Sequence, residues 1–223
     1  MSWDLVGFTV GMAALAVAVT LPGALALAWL LARRDWPGKI LVEALVTLPL
    51  VLPPVATGLL LLLVLGRNGW VGAALHHWFG AEIVFTWKAV VAAMMVMSFP
   101  LVVRAARVGF ESVDRSLEET ARTLGASAWQ VFFGVSLPLA RRGVLAGVVL
   151  GFARALGEFG ATMVVAGNIP GRTTTVPLAI YTDIILGDND AALQLIAISF
   201  TLALAAVFLG ERLARPLPDT ARA

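Results

Sequence analysis

The chain contains no cysteine. Disulfides and thiolate metal sites are therefore excluded. Charge is scarce as well. Only 13% of the 223 residues are Asp, Glu, Lys or Arg, against about 25% in an average soluble domain. The two histidines are neighbours, His76 and His77. A metal site needs further ligands at suitable spacing, so the pair reads as solvated residues of an outer loop. A phosphate-binding loop is missing too, since that device needs Gly, four residues, then Gly-Lys-Ser/Thr. The single Gly-Lys pair, Gly38-Lys39, is followed by Ile40, with Arg33 where the first Gly belongs. The chain does not bind ATP by that device. Any energy from hydrolysis has to come from a separate subunit.

What is present is apolar, with 60% hydrophobic residues. Five runs stand out, at approximately 5–32, 40–65, 83–103, 142–166 and 191–210. A helix needs about 20 apolar residues to cross the hydrocarbon layer. In lipid the backbone must satisfy its own hydrogen bonds, which makes these runs helices. None alternates strictly between apolar and polar residues, which argues against a barrel. The expected fold is all-α, a polytopic membrane protein with about five transmembrane helices in one domain, 1–223. The run Val176 to Leu186 is short and carries Asp183. A surface or re-entrant helix is favoured there, with a sixth span as the alternative. The first run reads as a retained span rather than a secretory signal. Met1 to Asp4 hold no Lys or Arg, and the run exceeds a signal core in length.

The net charge is +2, and its distribution matters more than its total. Five spans place three connecting regions on one side. That side holds twelve of the sixteen basic residues: Arg33, Arg34, Lys39, Arg104, Arg107, Arg115, Arg122, Arg141, Arg142, Arg212, Arg215 and Arg222. The other side holds Arg67, Lys88 and Arg172. By the positive-inside rule the basic side is cytoplasmic, with the N-terminus outside and the C-terminus inside. Trp3, Trp36, Trp70, Trp78 and Trp87 sit near span ends, as interfacial anchors do.

The longest basic connection, about 104–141, has its own local logic. Ser116 followed by Glu119 has the form of a capping box. Leu117, Ala121 and Leu124 recur at helical spacing, and Gly125 is a natural left-handed stop. These signals predict a helix over Leu117 to Leu124 with a short apolar stripe. Pro138 marks an angle before the next span. Such a helix either lies at the lipid headgroups or docks on a partner, and the residues alone leave both open.

Polar groups also occur at membrane depth. Arg154 and Glu158 stand four apart in the fourth run, which puts them on one helix face where they can pair. The pair either locks the helix to a neighbour or serves an anion pathway or gate. Gly143, Gly147 and Gly151 repeat every fourth residue, a pattern that lets helices approach closely. Pro49, Pro53 and Pro54 predict a kinked second span lining a pathway, with Thr47 and Thr57 placed to satisfy freed carbonyls. Pro100 predicts a milder bend.

Two stretches carry a family resemblance. Glu119-Thr120-Ala121, three residues, Gly125, nine residues, then Val135-Ser136-Leu137-Pro138 resembles the cytoplasmic signature of bacterial ATP-binding-cassette importer permeases. That signature usually reads Glu-Ala-Ala, three, Gly, nine, Ile-x-Leu-Pro. Thr120 and Val135 are mild departures. Leu156-Gly157-Glu158-Phe159-Gly160-Ala161-Thr162, then Asn168-Ile169-Pro170-Gly171, Thr173 to Thr175, Pro177, Ala179 and Tyr181 resemble the molybdate permease (ModB-like) branch. Sulfate and tungstate permeases are similar but depart within this stretch.

The resemblance implies a type I importer permease fold in the bacterial cytoplasmic membrane. It implies a coupling helix seated on an ATPase subunit, with Glu118, Glu119, Thr120, Ala121, Gly125, Ala126, Leu137 and Pro138 as coupling residues. It makes Arg154, Glu158, Thr162 and Asn168 pathway or gate candidates. Its implied partners are a second copy of the chain, two copies of the cytoplasmic ATPase and an extracytoplasmic oxyanion-binding protein. It implies no cofactor, no nucleic acid and no covalent chemistry. Tungstate, sulfate and thiosulfate remain alternative substrates. An intramembrane enzyme would need more than Arg154 and Glu158 at depth, and a passive channel would conduct anions alone.

Overall fold

The computed structural model describes residues 3–214. Arg215 and Arg222, counted above on the basic side, lie outside the described residues. Among those described there is no β-strand. Four helices are long and apolar enough to cross a membrane on their own: α1 (Trp3–Arg33), α5 (Trp87–Glu111), the run Ala128–Leu156, and α11 (Asn189–Ala214), of which Asn189–Gly210 passes the test. A bent pair, α2 (Lys39–Val51) and α3 (Pro54–Leu65), is apolar enough only when its two helices are taken together, and forms either a broken span or a re-entrant loop.

That pair corrects the expected kink. The two helices turn by 113° at a break. The cause is the double proline. Each proline drives the residue before it out of the helical region, so Leu52 takes φ −67°, ψ 145° and Pro53 φ −54°, ψ 133°. The helix stops and restarts at Pro54. The threonines do not fill the freed carbonyls as expected. Thr47 Oγ1 donates to Glu43 O at 2.8 Å, and buried Thr57 Oγ1 has no partner.

α5 is the central element. Val90, Met94, Met97, Val102, Val103 and Phe110 are all buried on it. It packs against α1 on one side and α8 (Leu137–Leu156) on another, while α11 covers α8. The glycine stripe makes the α5–α8 contact. A Cβ on Gly143 would lie 2.5 Å from Gly109 Cα, and one on Gly147 would lie 3.0 Å from Val102 O. Small residues let these backbones touch, as the spacing suggested.

The fourth run ends earlier than expected. α8 ends at Leu156, and α9 (Gly160–Val165) begins only after a break at Gly157 to Phe159. α9 packs on α3, where a Cβ on Gly58 would meet Ala161 Cα at 2.8 Å. α10 (Val176–Leu186) has 11 residues, about 17 Å at 1.5 Å per residue, too short to cross. It packs on α11 and touches α1, and its first N–H, from Val176, donates to Thr9 Oγ1 at 3.0 Å.

His76 and His77 correct a second expectation. They belong to a short helix, α4 (Trp70–Phe79), capped by Gly80 in the left-handed region. Trp70 and Trp78 on this helix are more than three-quarters exposed, as anchors at a membrane interface would be. Trp36 instead packs against the core around Leu31 and Phe110.

Candidate functional site

The insert between α5 and α8 is built from short helices. α6 runs Arg115–Thr123, starting earlier than expected. Its cap is Asp114, not Ser116: Asp114 Oδ1 accepts from Ser116 N at 2.9 Å. An Asp at the cap satisfies one of the first orphan N–H groups. The bond holds the Asp114 carboxyl below its ordinary 3.8. A capping box does exist, but at the start of the next helix, between Ser127 and Gln130 of α7 (Ala128–Val131). Gly125 ends α6 with φ +91°. Its N–H reaches Arg122 O at 2.9 Å, and the Ala126 N–H reaches Ala121 O at 3.0 Å.

The angle expected at Pro138 is also replaced. The chain stays helical through a π turn, Phe132–Ser136, and passes directly into α8. Pro138 has no N–H to give and its ring crowds the carbonyl four residues back. The wider turn relieves this, closing with Leu137 N to Phe132 O.

The coupling candidates divide into two faces. Glu119, Thr120, Gly125 and Pro138 are exposed, while Ala121, Ala126 and Leu137 are half-buried. Leu117 and Leu124 are exposed, Leu124 at 83%. Among the described residues, the two leucines of the α6 stripe are therefore left exposed, while Ala121 between them is half-buried. Glu118 points the other way and is buried. Its Oε1 lies 2.8 Å from Arg33 Nη2 and accepts from Arg33 Nε at 2.9 Å and Ser136 Oγ at 2.7 Å. Arg33 Nη2 also donates to Val113 O at 3.1 Å, and Arg115 Nη2 to Ala32 O at 3.2 Å. Nearby, Arg107 pairs with Glu43 at 2.7 Å and Glu111 at 2.6 Å.

Arg33 and Ser136 were not among the sequence candidates. Arg33 counted only as part of a charge bias. Ser136 occupies the free position of Val-x-Leu-Pro, yet a hydroxyl between apolar neighbours at a helix start was a signal that something polar faces it.

The pathway candidates lie elsewhere, at the α8–α9 break. Arg154 Nη1 stands 2.7 Å from Glu158 Oε2. The pair forms as expected, although Glu158 sits past the end of α8 rather than on its face. Glu158 is fully buried, and its Oε1 accepts from Ala161 N at 2.8 Å, which tethers the first turn of α9. Thr162 is buried on α9, with a hydroxyl that has no partner. Asn168 is apart from these. It bonds Thr182 Oγ1 and Thr174 Oγ1 at 2.8 and 2.7 Å, beside a cavity of about 600 Å³ that Asp4, Arg172 and Asp183 also line. Thr173 Oγ1 donates to Gly167 O at 3.1 Å and accepts from Ile169 N at 2.9 Å, so its hydroxyl serves the loop.

A helical bundle with this insert has known relatives. Residues 24–216 match the family described as binding-protein-dependent transport system inner membrane component. The chain belongs to that family. Within it, the chain is 49% identical over 214 residues to the molybdenum transport system permease protein ModB of Escherichia coli (strain K12), covering 96% of this chain and 93% of that one. It is 50% identical over 197 residues to ModB of Haemophilus influenzae, covering 88% and 86%. A sulfate transport system permease protein, CysW of Synechocystis, is 38% identical over 203 residues, covering 91% and 73%. A chain of the inward-facing MetNI methionine ABC transporter superposes with a TM-score of 0.73 at 18% identity, covering 96% of this chain and 98% of that one. That likeness bears on fold alone, and the fold is that of an importer permease, all-α and polytopic.

Proposed function

We propose that this family member is the membrane-spanning subunit of a molybdate importer, working as a pair with a second copy of itself. Two ATPase subunits on the cytoplasmic face receive α6, and an oxyanion-binding protein delivers substrate to the outer face. The chain carries no hydrolytic machinery of its own. It crosses the bacterial cytoplasmic membrane with its N-terminus outside.

One observation carries the docking part of this reading. α6 is anchored from behind by Glu118, yet Leu117 and the C-cap residue Leu124 are exposed among the described residues. A helix held rigidly with exposed leucines is suited to a groove on another protein. Likeness to the molybdenum permeases across nearly the whole chain supports the substrate. Likeness to the sulfate permease supports sulfate as the alternative.

Import would follow alternating access. Closing of the ATPase pair draws the two α6 helices together, and the helices packed behind them rock as rigid bodies. Arg154, paired with Glu158 yet with its side chain 24% exposed, is the candidate to meet an anion on the pathway. The test is uptake of labelled molybdate by a strain whose own importer is deleted, with and without this chain. Competition by excess sulfate or tungstate identifies the preferred oxyanion. Uptake that sulfate suppresses more strongly than unlabelled molybdate would replace molybdate in this reading.

A further inference from the structure

We infer that Arg33, Glu118 and Ser136 form the joint through which displacement of α6 reaches the membrane helices. The inference rests on the reading of α6 as the ATPase-docking helix. It adds what happens behind that helix.

A short helix pushed from outside transmits motion only through what holds it. α6 has 9 residues and is flanked by loop residues on both sides. Its own backbone is too brief to act as a lever without bracing. Most of its side chains are exposed, and Glu118 is the buried exception. One oxygen of Glu118 gathers contacts from two separate elements. Arg33 is the last residue of α1, 85 residues away in sequence, and Ser136 lies at the threshold of α8, 18 residues away. α1 and α8 are two of the helices packed around α5. A movement of Glu118 therefore pulls on two spans together.

The joint is dry and directional. The side chains of Arg33 and Glu118 are 7% and 6% exposed. Water competes poorly there, so the charge-assisted bonds are short and strong. Arg33 and Arg115 also clamp the backbone, at Val113 O and Ala32 O, on either side of the seam. The π turn contributes the third member. A π turn inserts an extra residue into helical register, and such turns recur at functional positions. Here it ends at Ser136, whose hydroxyl meets Glu118 while Pro138 starts α8 undisturbed. All three residues are positioning residues.

The absence of cysteine helps the test, because introduced thiols are the only thiols this chain carries. The complete importer, with its ATPase and binding protein, is purified and reconstituted in vesicles. Molybdate taken up per ATP hydrolysed is measured for the unchanged chain, Glu118→Gln and Ser136→Ala. Glu118→Gln is expected to lower the ratio about tenfold, inside the ~5–150-fold range of coupling between sites, while the ATPase still copurifies. Ser136→Ala is expected to lower it less.

Spin labels at Arg34→Cys and Ser116→Cys read the joint itself. With Glu118 intact, their separation is expected to hold within about 2 Å on ATP binding, the scale of a packed helix shift. With Glu118→Gln it is expected to change or broaden. Ratios equal to the unchanged chain in both variants overturn the joint, as does a label separation that changes with Glu118 intact. If Glu118→Gln does not fold, Ser136→Ala and the intact-chain label distance still decide. Failure of the unchanged chain to bind any ATPase is a different result. It overturns the docking reading and this inference with it.

Discussion

Arg154 and Glu158 pair across the end of a helix rather than along it. Their 2.7 Å contact bridges from the last turn of α8 to the residue that tethers the first turn of α9. Glu158 is thus held by a guanidinium on one oxygen and a backbone N–H on the other. The arrangement fixes the geometry of the break, and it leaves Arg154 partly open, with its side chain 24% exposed.

The first prediction concerns this pair. Arg154→Leu leaves a fully buried carboxylate without its counter-ion, and such losses cost about 3–5 kcal/mol. Changing both partners, Arg154→Leu with Glu158→Met, removes the buried charge as well and is expected to cost less than Arg154→Leu alone. Thermal unfolding in detergent of the two singles and the double closes the cycle. A double variant less stable than both singles would show that the N–H tether, not the ion pair, dominates.

Much of this was legible in advance, for physical reasons that differ by element. The spans followed from run length and the cost of exposed backbone in lipid. The glycine stripe followed from spacing, because Gly143 and Gly109 touch backbone to backbone. The Gly125 stop followed from the left-handed preference of glycine. The misses in local structure come from how neighbouring signals combine. Ser116 with Glu119 fits a capping box, but Asp114 lies two residues earlier and captures the helix start. Pro138 signals a break, but a π turn absorbs it. The double proline signals a kink, but two successive restricted residues make a full break. Arg33 with Glu118 was not legible at all, since nothing local links residues 85 apart.

A second prediction tests the close approach of α5 and α8. Gly143→Ala places a methyl carbon 2.5 Å from Gly109 Cα and 2.8 Å from Ala105 O, all backbone. Backbone cannot step aside cheaply, so the helices separate at a cost of about 1–3 kcal/mol. Gly23→Ala in α1 is the control, because nothing lies within 4 Å of its added carbon. It is expected to be neutral or slightly stabilising. The same melting measurement distinguishes them, and equal behaviour would refute the packing account.

A third prediction follows from the Asp114 cap and its sign. Ser116 N–H holds the Asp114 carboxyl below its ordinary 3.8. The folded value is depressed, so the cap's contribution is complete above 3.8 and is lost as pH falls beneath it through the folded value. Protection factors of the α6 amides, exchange rates taken relative to the unprotected rate at each pH, are expected to be equal at neutral and mildly acidic pH. Protection is expected to fall only below 3.8. Asp114→Asn keeps a capping oxygen and should remove that acid-side loss. Protection that declines already near neutral pH would mean another group controls the helix.

The final prediction separates conformation from contact at Gly125. Its φ of +91° lies where side chains are strained, yet nothing stands within 4 Å of an added Cβ. Gly125→Ala therefore meets a backbone penalty alone, about 1–2 kcal/mol for a left-handed residue with a Cβ. Asn tolerates that region better than Ala, so Gly125→Asn should cost less. If the turn matters because it sets the direction in which α6 is presented, uptake and ATPase association should fall together, more for Ala than for Asn. If Gly125 were instead needed for close approach by a partner, Asn, the larger side chain, would be the worse substitution. Binding of the ATPase to the two variants, measured side by side with uptake, decides which property of this glycine is used.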